Sequence, residues 1–283
     1  MVNAIDAFKS DEAGATGQKI ATELDFVNIG RTWKAQGIQV PEIYWVSSDS
    51  HLLLLEDFGD ELLFLRRQKG LAHEEYRKAL RELVKIQNSK PTDRILARGF
   101  SKDLLTWEFE HFVEYALEKR TRPITPSQLA TLRNWMKKVV DNLSALPQIV
   151  CHRDYHSKNV LIREDGLIGV IDFQDSLMGP DTYDLASLLR DSYVRFEDQE
   201  EEELLQLFEA EAGKKINRTQ FGWMSLQRNM KAAGRFYYIQ IVKGKDSHIP
   251  FVKPSMNRIF RSLNQLNEKE IIQILETSMA GDY

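Results

Sequence analysis

Cysteine is almost missing from this 283-residue chain: Cys151 is the only one, which excludes an internal disulfide framework and a multi-cysteine zinc site. Long apolar runs are missing too. A stretch such as Leu52 to Leu55 is far too short to span a bilayer. The first residues, MVNAIDAFKSDEAGATGQ, carry no basic region followed by an apolar one, so no secretory signal is expected. Excess positive charge is also absent. The formal net charge is −4, and no basic stripe marks a general nucleic-acid surface. No internal repeat or low-complexity segment stands out. These absences lead to the expectation of a cytoplasmic protein with no membrane span and no nucleic-acid partner. Oligomeric state is not legible.

A hydrophobic content of 42% is enough for a large core in one domain or two unequal lobes. Helical spacing of Ile20, Leu24, Val27 and Trp33 predicts a helix over 20–36, stopped by Gly37. PEIYWV and HLLLLE read as strands on either side of a turn, and VNAIDAF as a possible first strand. Beyond Gly59 the pattern is mostly helical: 74–87, 101–119, 126–146, 180–196, a long helix over TQFGWMSLQRNMKAAGRFYYIQIV, and a final one from Asn257 to Met279. Thr125, Pro126 and Gln128 form a capping-box start. The expected fold class is α+β, with a small mixed lobe over 1–57 and a large helical lobe over 58–283.

One non-helical stretch interrupts the second part. CHRDYHSKNVLI crowds His152, Arg153, Asp154, His156 and Lys158 just before NVLIREDGLIGVID. Asp165-Gly166 between apolar runs predicts a hairpin. A two-residue loop would set Asn159 opposite Asp172; a three-residue loop with a bulge would make them diagonal neighbours. An amide oxygen and a carboxylate so placed can share a magnesium ion. Asp154 is a candidate base for a hydroxyl that attacks phosphorus. Phosphoryl transfer otherwise depends on positioning and charge neutralisation. A zinc pair of His152 and His156 is the weaker reading, because their neighbours favour extended chain over helix. His152 is expected to pack inward and brace the loop. Lys158 either neutralises the transferred phosphate or is solvated, and His156 stays equally open. Trp107, Phe109, Phe112 and Tyr115 are expected in the core, with a sugar-stacking ring among them as the alternative.

HRDYHSKN, the thirteen-residue step from Asn159 to Asp172, and GPDTYDLASLLRD resemble the aminoglycoside phosphotransferase family of small-molecule kinases. IDFQDSLMGPDTYDLASLLRD, GIQVPEIY, LLLLEDFGD and WMSLQRNMKAAGRF are similar to segments of the bacterial anomeric kinases of cell-wall amino sugars within it. The resemblance implies a two-lobed protein-kinase-like fold with ATP between the lobes. Adenine would meet backbone around Glu56, Asp57 and Phe58. Asp154 would be the base, and Asn159 and Asp172 the Mg²⁺ ligands. Asp175, His156 and Lys158 are candidates on the substrate side, Asp175 equally as a turn residue. Tyr183 and Asp184 would buttress the catalytic loop. The acceptor would be a small-molecule hydroxyl, an amino sugar first, with aminoglycosides or choline as alternatives. One departure stands out. Before Glu56 there is no room for a Gly-rich hairpin, GATGQ is not a phosphate loop, and Lys9 and Glu23 are weak candidates for the usual lysine–glutamate pair. The expectation is a short nucleotide lobe, from a truncated kinase or one with a reduced grip on ATP. A non-catalytic pseudokinase is the rival reading.

Overall fold

The computed structural model describes residues 2–3 as backbone, and 24–49, 52–70, 72–119 and 124–279. Lys9, Gly14, Gly17 and Glu23, and most of the first strand, lie outside the described residues.

Strand β1 (Val2–Asn3), helix α1 (Asp25–Ala35) and strands β2 (Ile43–Val46) and β3 (Leu52–Leu55) come first. The strands form one antiparallel sheet in the order β1-β3-β2, with an irregularity between Ile43 and Trp45. The described part of α1 buries Phe26, Val27, Ile29 and Trp33, the spacing that makes a helix amphipathic. Gly30 lets it come close to Phe173 and Ile43, which a Cβ there would meet at 3.1 and 3.3 Å. Two short helices, α2 (Leu63–Gln68) and α4 (Asp93–Leu96), flank the longer α3 (His73–Gln87).

Helix α5 (Lys102–Phe112) winds into a π-helical turn over Val113–Glu118, where a continuous α-helix is expected from sequence. The capping box of Thr125 and Gln128 starts α6 (Pro126–Ser144) as predicted. Phe109, Phe112 and Tyr115 are buried in the core. Helix α7 (Tyr183–Leu189) is shorter than the predicted 180–196 span, because Leu177–Pro180 is a strand and the chain leaves helix after Leu189. The remaining helices are α8 (Asp198–Ala212), α9 (Arg218–Lys243), α10 (Val252–Gln265) and α11 (Lys269–Ser278). The expected single C-terminal helix is broken at Asn267, whose φ of 59° is left-handed. Asparagine tolerates that conformation better than other non-glycine residues.

The 26-residue α9 runs through the helical part and packs on α5, α7 and α10. At Gly234 the helices touch backbone to backbone: a Cβ there would lie 2.7 Å from Phe112 Cα. Two small antiparallel pairs sit in front of these helices. Strand β4 (Gln148–Cys151) pairs with β7 (Leu177–Pro180), and β5 (Val160–Ile162) pairs with β6 (Ile168–Val170). The predicted one-to-one opposition of Asn159 and Asp172 is not what forms. Val160 faces Val170, and Arg163 N–H donates to Leu167 O at 2.9 Å, which leaves a three-residue loop. Gly166 supplies the positive φ of 74° that such a bulged turn needs.

Candidate active site

The loop between β4 and β5 carries the crowded charges. Leaving β4, the chain turns sharply: Arg153 has a φ of 81°, rare for a side chain with a Cβ. The turn is held by Asp184, at the start of α7. Its carboxylate accepts from His152 N–H at 2.6 Å and from Arg153 N–H at 3.0 Å. Asp191 does the same further along, accepting from both the N–H and the hydroxyl of Ser157. Tyr183 and Asp184 are fully buried beside the loop.

His152 packs inward, fully buried, and bonds across to the other strand pair. Its Nε2 lies 2.9 Å from Ile171 O, an acceptor, so Nε2 carries the proton. Nδ1 is then free to accept from Asp154 N–H at 3.3 Å. Burial drives the imidazole down to about 4, against the opposing charges of Asp172 and Asp154. A neutral, doubly bonded ring is a brace rather than a metal ligand, and among the described residues no cluster of three or more His, Cys, Asp or Glu could hold a metal ion.

Asp154 has a third of its side chain open to solvent. Burial alone would raise its carboxyl, but Lys231, Arg228, His156 and Arg153 outweigh that and hold it well below the usual carboxylate range. Arg228 NH2 is 3.7 Å from Asp154 Oδ1. Five residues on, Asn159 donates from Nδ2 to Asp154 O at 3.0 Å and to Asp172 Oδ2 at 3.1 Å. The bulged register makes Asn159 and Asp172 diagonal neighbours, with Ile171 N–H donating to Asn159 O at 3.1 Å. Asp172 is exposed at the end of the hairpin in a left-handed backbone conformation, φ 63°. Gln174 Nε2 donates to its Oδ1 at 2.8 Å. The Asn159 amide thus meets the exposed Asp172 carboxylate, which brings an amide side chain and a carboxylate to one end of the hairpin. That donor set fits a hard cation such as Mg²⁺.

The other expected residues fall in separate places. Glu56 ends the sheet in an ionic junction: its carboxylate is 3.0 Å from Lys34 of α1 and 3.1 Å from Arg163 of the hairpin turn. Phe58 packs on Gly169 in β6, where a Cβ would come 2.3 Å from the ring, and Arg163 Cζ lies over the ring 4.6 Å from its centroid. Asp57 Oδ1 accepts from Gly59 N–H. Asp175 is next to Gln174, whose carbonyl accepts from Arg98; burial lowers that guanidinium, and the charge of Asp175 opposes the shift. His156 sits edge-on to Tyr193, and the Lys158 ammonium lies over Tyr193, Phe251 and Phe64.

Sequence reasoning gave no role to Glu108. It is buried beneath the loop, 3.5 Å from Arg153 and 3.2 Å from Lys231, and accepts from Gln227 Nε2 at 2.6 Å. The signal was available: Glu108 shares a helix face with Leu105, Phe109 and Phe112, so a charge there is placed inward.

Comparison with known proteins decides the family. A sequence model of the phosphotransferase enzyme family matches residues 16–223. The chain belongs to that family. It is a phosphotransferase of the small-molecule kinase class, with a hydroxyl acceptor and a nucleotide as the donor implied by membership. The chain is similar to an N-acetylmuramate/N-acetylglucosamine kinase of Neisseria meningitidis, 28% identical over 87% of this chain and 77% of the relative. It is also similar to proteins of the same description from Pseudomonas aeruginosa (31% identical, 60% of this chain, 49% of the relative) and Caulobacter vibrioides (28%, 69% and 57%). It spans about half the length of the Pseudomonas relative. Among solved structures the fold is shared with the choline kinase LicA of Streptococcus pneumoniae, with a TM-score of 0.61, 18% identity and coverage of 86% and 80% of the two chains. An ADP-bound aminoglycoside phosphotransferase gives 0.57 at 16% identity, covering 96% of this chain and 84% of that one. The phosphotransferase fold is therefore the protein-kinase-like one, α+β and two-lobed. Among the described residues no helix is long and apolar enough to cross a membrane.

Proposed function

We propose that this phosphotransferase moves the γ-phosphoryl group of ATP to a hydroxyl of an N-acetylated amino sugar, at the anomeric position. The observation that carries the reading is that Asn159 Nδ2 ties the loop to the hairpin end, donating to the Asp154 backbone carbonyl at 3.0 Å and to the Asp172 carboxylate at 3.1 Å. The sugar identity is taken from the relatives, whose printed names include both N-acetylmuramate and N-acetylglucosamine.

In this reading Asp154 orients the acceptor hydroxyl and takes its proton as the bond to phosphorus forms. Its depressed carboxyl keeps it ionised at any working pH. Arg228 and Lys231 hold that charge in place and add positive potential where the transferring phosphoryl develops negative charge. Asn159 Oδ1 and the Asp172 carboxylate would hold Mg²⁺, which when bound neutralises phosphate charge. The Glu56–Phe58 segment would take the adenine. Its support is position: Phe58 rests on β6 of the hairpin, and Glu56 ties the sheet to α1 and to the turn.

The test uses the purified chain with Mg·ATP and one acceptor at a time: N-acetylmuramate, N-acetylglucosamine, choline or kanamycin. ADP release and ³¹P NMR of the product are the readouts. An anomeric sugar phosphate is expected with at least one N-acetyl sugar. Turnover only with choline or kanamycin, or with none, overturns the proposal.

A further inference from the structure

Lys158 lies between the base and the metal-ligand candidate, yet its ammonium does not reach toward either. It sits among three aromatic rings, with Nζ 3.8 Å from the centroid of Tyr193, 4.2 Å from Phe251 and 5.1 Å from Phe64. The rings come from three separate places: α2, the segment after α7, and the 3₁₀ turn Ile249–Phe251 before α10. An enclosure of this kind is how proteins hold organic ammonium groups, through the negative faces of the rings.

The walls are built. Phe64 N–H donates to Ser157 O at 3.0 Å, so the first ring is tied to the loop that carries the lysine. Asp191 accepts from Ser157 N–H at 2.9 Å and from Tyr193 N–H at 2.8 Å, which fixes the second ring to the same residue. Phe251 packs edge-on against Tyr193 with centroids 4.6 Å apart, and Phe251 N–H donates to His248 O. The nearby acid, Asp191, is thus engaged by the N–H and hydroxyl of Ser157 and by Tyr193 N–H, and the three rings lie against the ammonium. All three rings are half-buried, so part of the box faces solvent. It borders the base: Tyr193 touches His156 and lies in the electrostatic field of both Asp154 and Arg228.

We propose that Phe64, Tyr193 and Phe251 form an organic-cation box on the acceptor side of the catalytic loop, and that Lys158 fills it from within the chain. Lys158 then determines specificity by exclusion. Acceptors bearing a quaternary ammonium find the box occupied by a cation covalently tied to the loop. Acceptors without one, such as neutral or acidic sugars, lose nothing. The placement of the box beside an acceptor rests on the function proposed above; the box as a cation site does not.

The experiment measures binding, independent of turnover. Choline chloride and tetramethylammonium chloride are titrated calorimetrically, against a sodium chloride control, into the wild-type chain and into Lys158→Ala, Lys158→Ser and Lys158→Met. The two small residues empty the box and should bind choline at least tenfold more tightly than wild type. Methionine refills it without charge and should match wild type. Adding Tyr193→Leu to Lys158→Ala should remove the gain. The proposal is overturned if a folded Lys158→Ala or Lys158→Ser chain binds choline no better than wild type, or if wild type binds it as tightly as they do. Phosphorylation of N-acetylmuramate by the wild type, run in parallel, reports on the proposed function alone.

Discussion

At the scale of single residues, the site is a set of charges whose states are chosen by their neighbours. Asp154→Asn keeps the loop's shape, since the loop is held by Asp184, Asp191 and His152 and not by the Asp154 carboxylate. Transfer should fall by about 10²–10⁴-fold, the range of general-base contributions, with circular dichroism and melting temperature close to wild type. Normal turnover would remove Asp154 as base. His152 has a different signature. Its folded value of about 4 lies below the ordinary 6.5, so between those values the unfolded chain binds the proton and the folded one does not. Stability from this group is therefore complete above about 6.5 and lost as pH falls toward 4, on the order of 3 kcal/mol in all. Asp184 acts in the opposite direction: burial pushes it up to about 7, so its contribution declines as pH rises from about 4 toward 7. The wild-type curve mixes the two, and the difference from His152→Gln separates them. Urea unfolding should show the wild-type advantage over that variant shrinking steadily from pH 6.5 to 4. A constant difference would mean that His152 does not titrate as a buried neutral ring. The apolar stretches on either side of the loop made extended chain legible there, and the family resemblance implied Asp184 as a buttress; the role of Asp191 as a second clamp needed the groups it accepts from.

At the scale of elements, two glycines mark where segments come too close for a side chain, and they differ in what they meet. Gly169 of β6 faces the Phe58 ring, with a Cβ at 2.3 Å. Gly234 of α9 faces the backbone of Phe112, with a Cβ at 2.7 Å from Cα. A ring can be trimmed and a backbone cannot. Gly169→Ala should cost about 1–3 kcal/mol and raise the KM for ATP, because it pushes on the proposed adenine segment. Adding Phe58→Leu should recover part of both. Gly234→Ala should cost at least as much, measured by denaturant unfolding, and no trimming of the Phe112 side chain should recover it. Equal rescue at both sites would contradict the packing described. The hairpin teaches the same lesson about register. Its existence was plain from Asp165-Gly166, but the three-residue loop is selected by the left-handed Gly166 and by Lys78 of α3, which donates to Gly166 O at 2.6 Å. Lys78 is 88 residues away in sequence, so no local pattern contains it.

At the scale of the whole molecule, the sheet, α1 and the hairpin meet at Glu56, and the helical part meets the loop between β4 and β5 at Glu108. Mg·ATP that binds only the folded state should raise the unfolding free energy by about 2.7 kcal/mol at a hundredfold excess over its Kd. For a chain of this size that is roughly 5–10 °C in melting temperature, read by differential scanning fluorimetry with and without EDTA. No shift at saturating Mg·ATP would oppose the proposed nucleotide site. The sequence by itself determined that the proposed base, Asp154, and the proposed Mg²⁺ ligands, Asn159 and Asp172, stand near one another, because a turn at Asp165-Gly166 folds one short loop and one hairpin in either register. It also determined the helical character of the second part, since burial of a face imposes a 3.6-residue period. Only the tertiary structure decided what surrounds that chemistry. The clamps on the loop come from Asp184 and Asp191, the surrounding charges from buried Glu108 and half-buried Arg228 and Lys231, and the aromatic box around Lys158 from residues 64, 193 and 251. Contacts between residues so far apart in the chain leave no periodic trace in it, because they are set by how the helices pack and not by how any one of them winds.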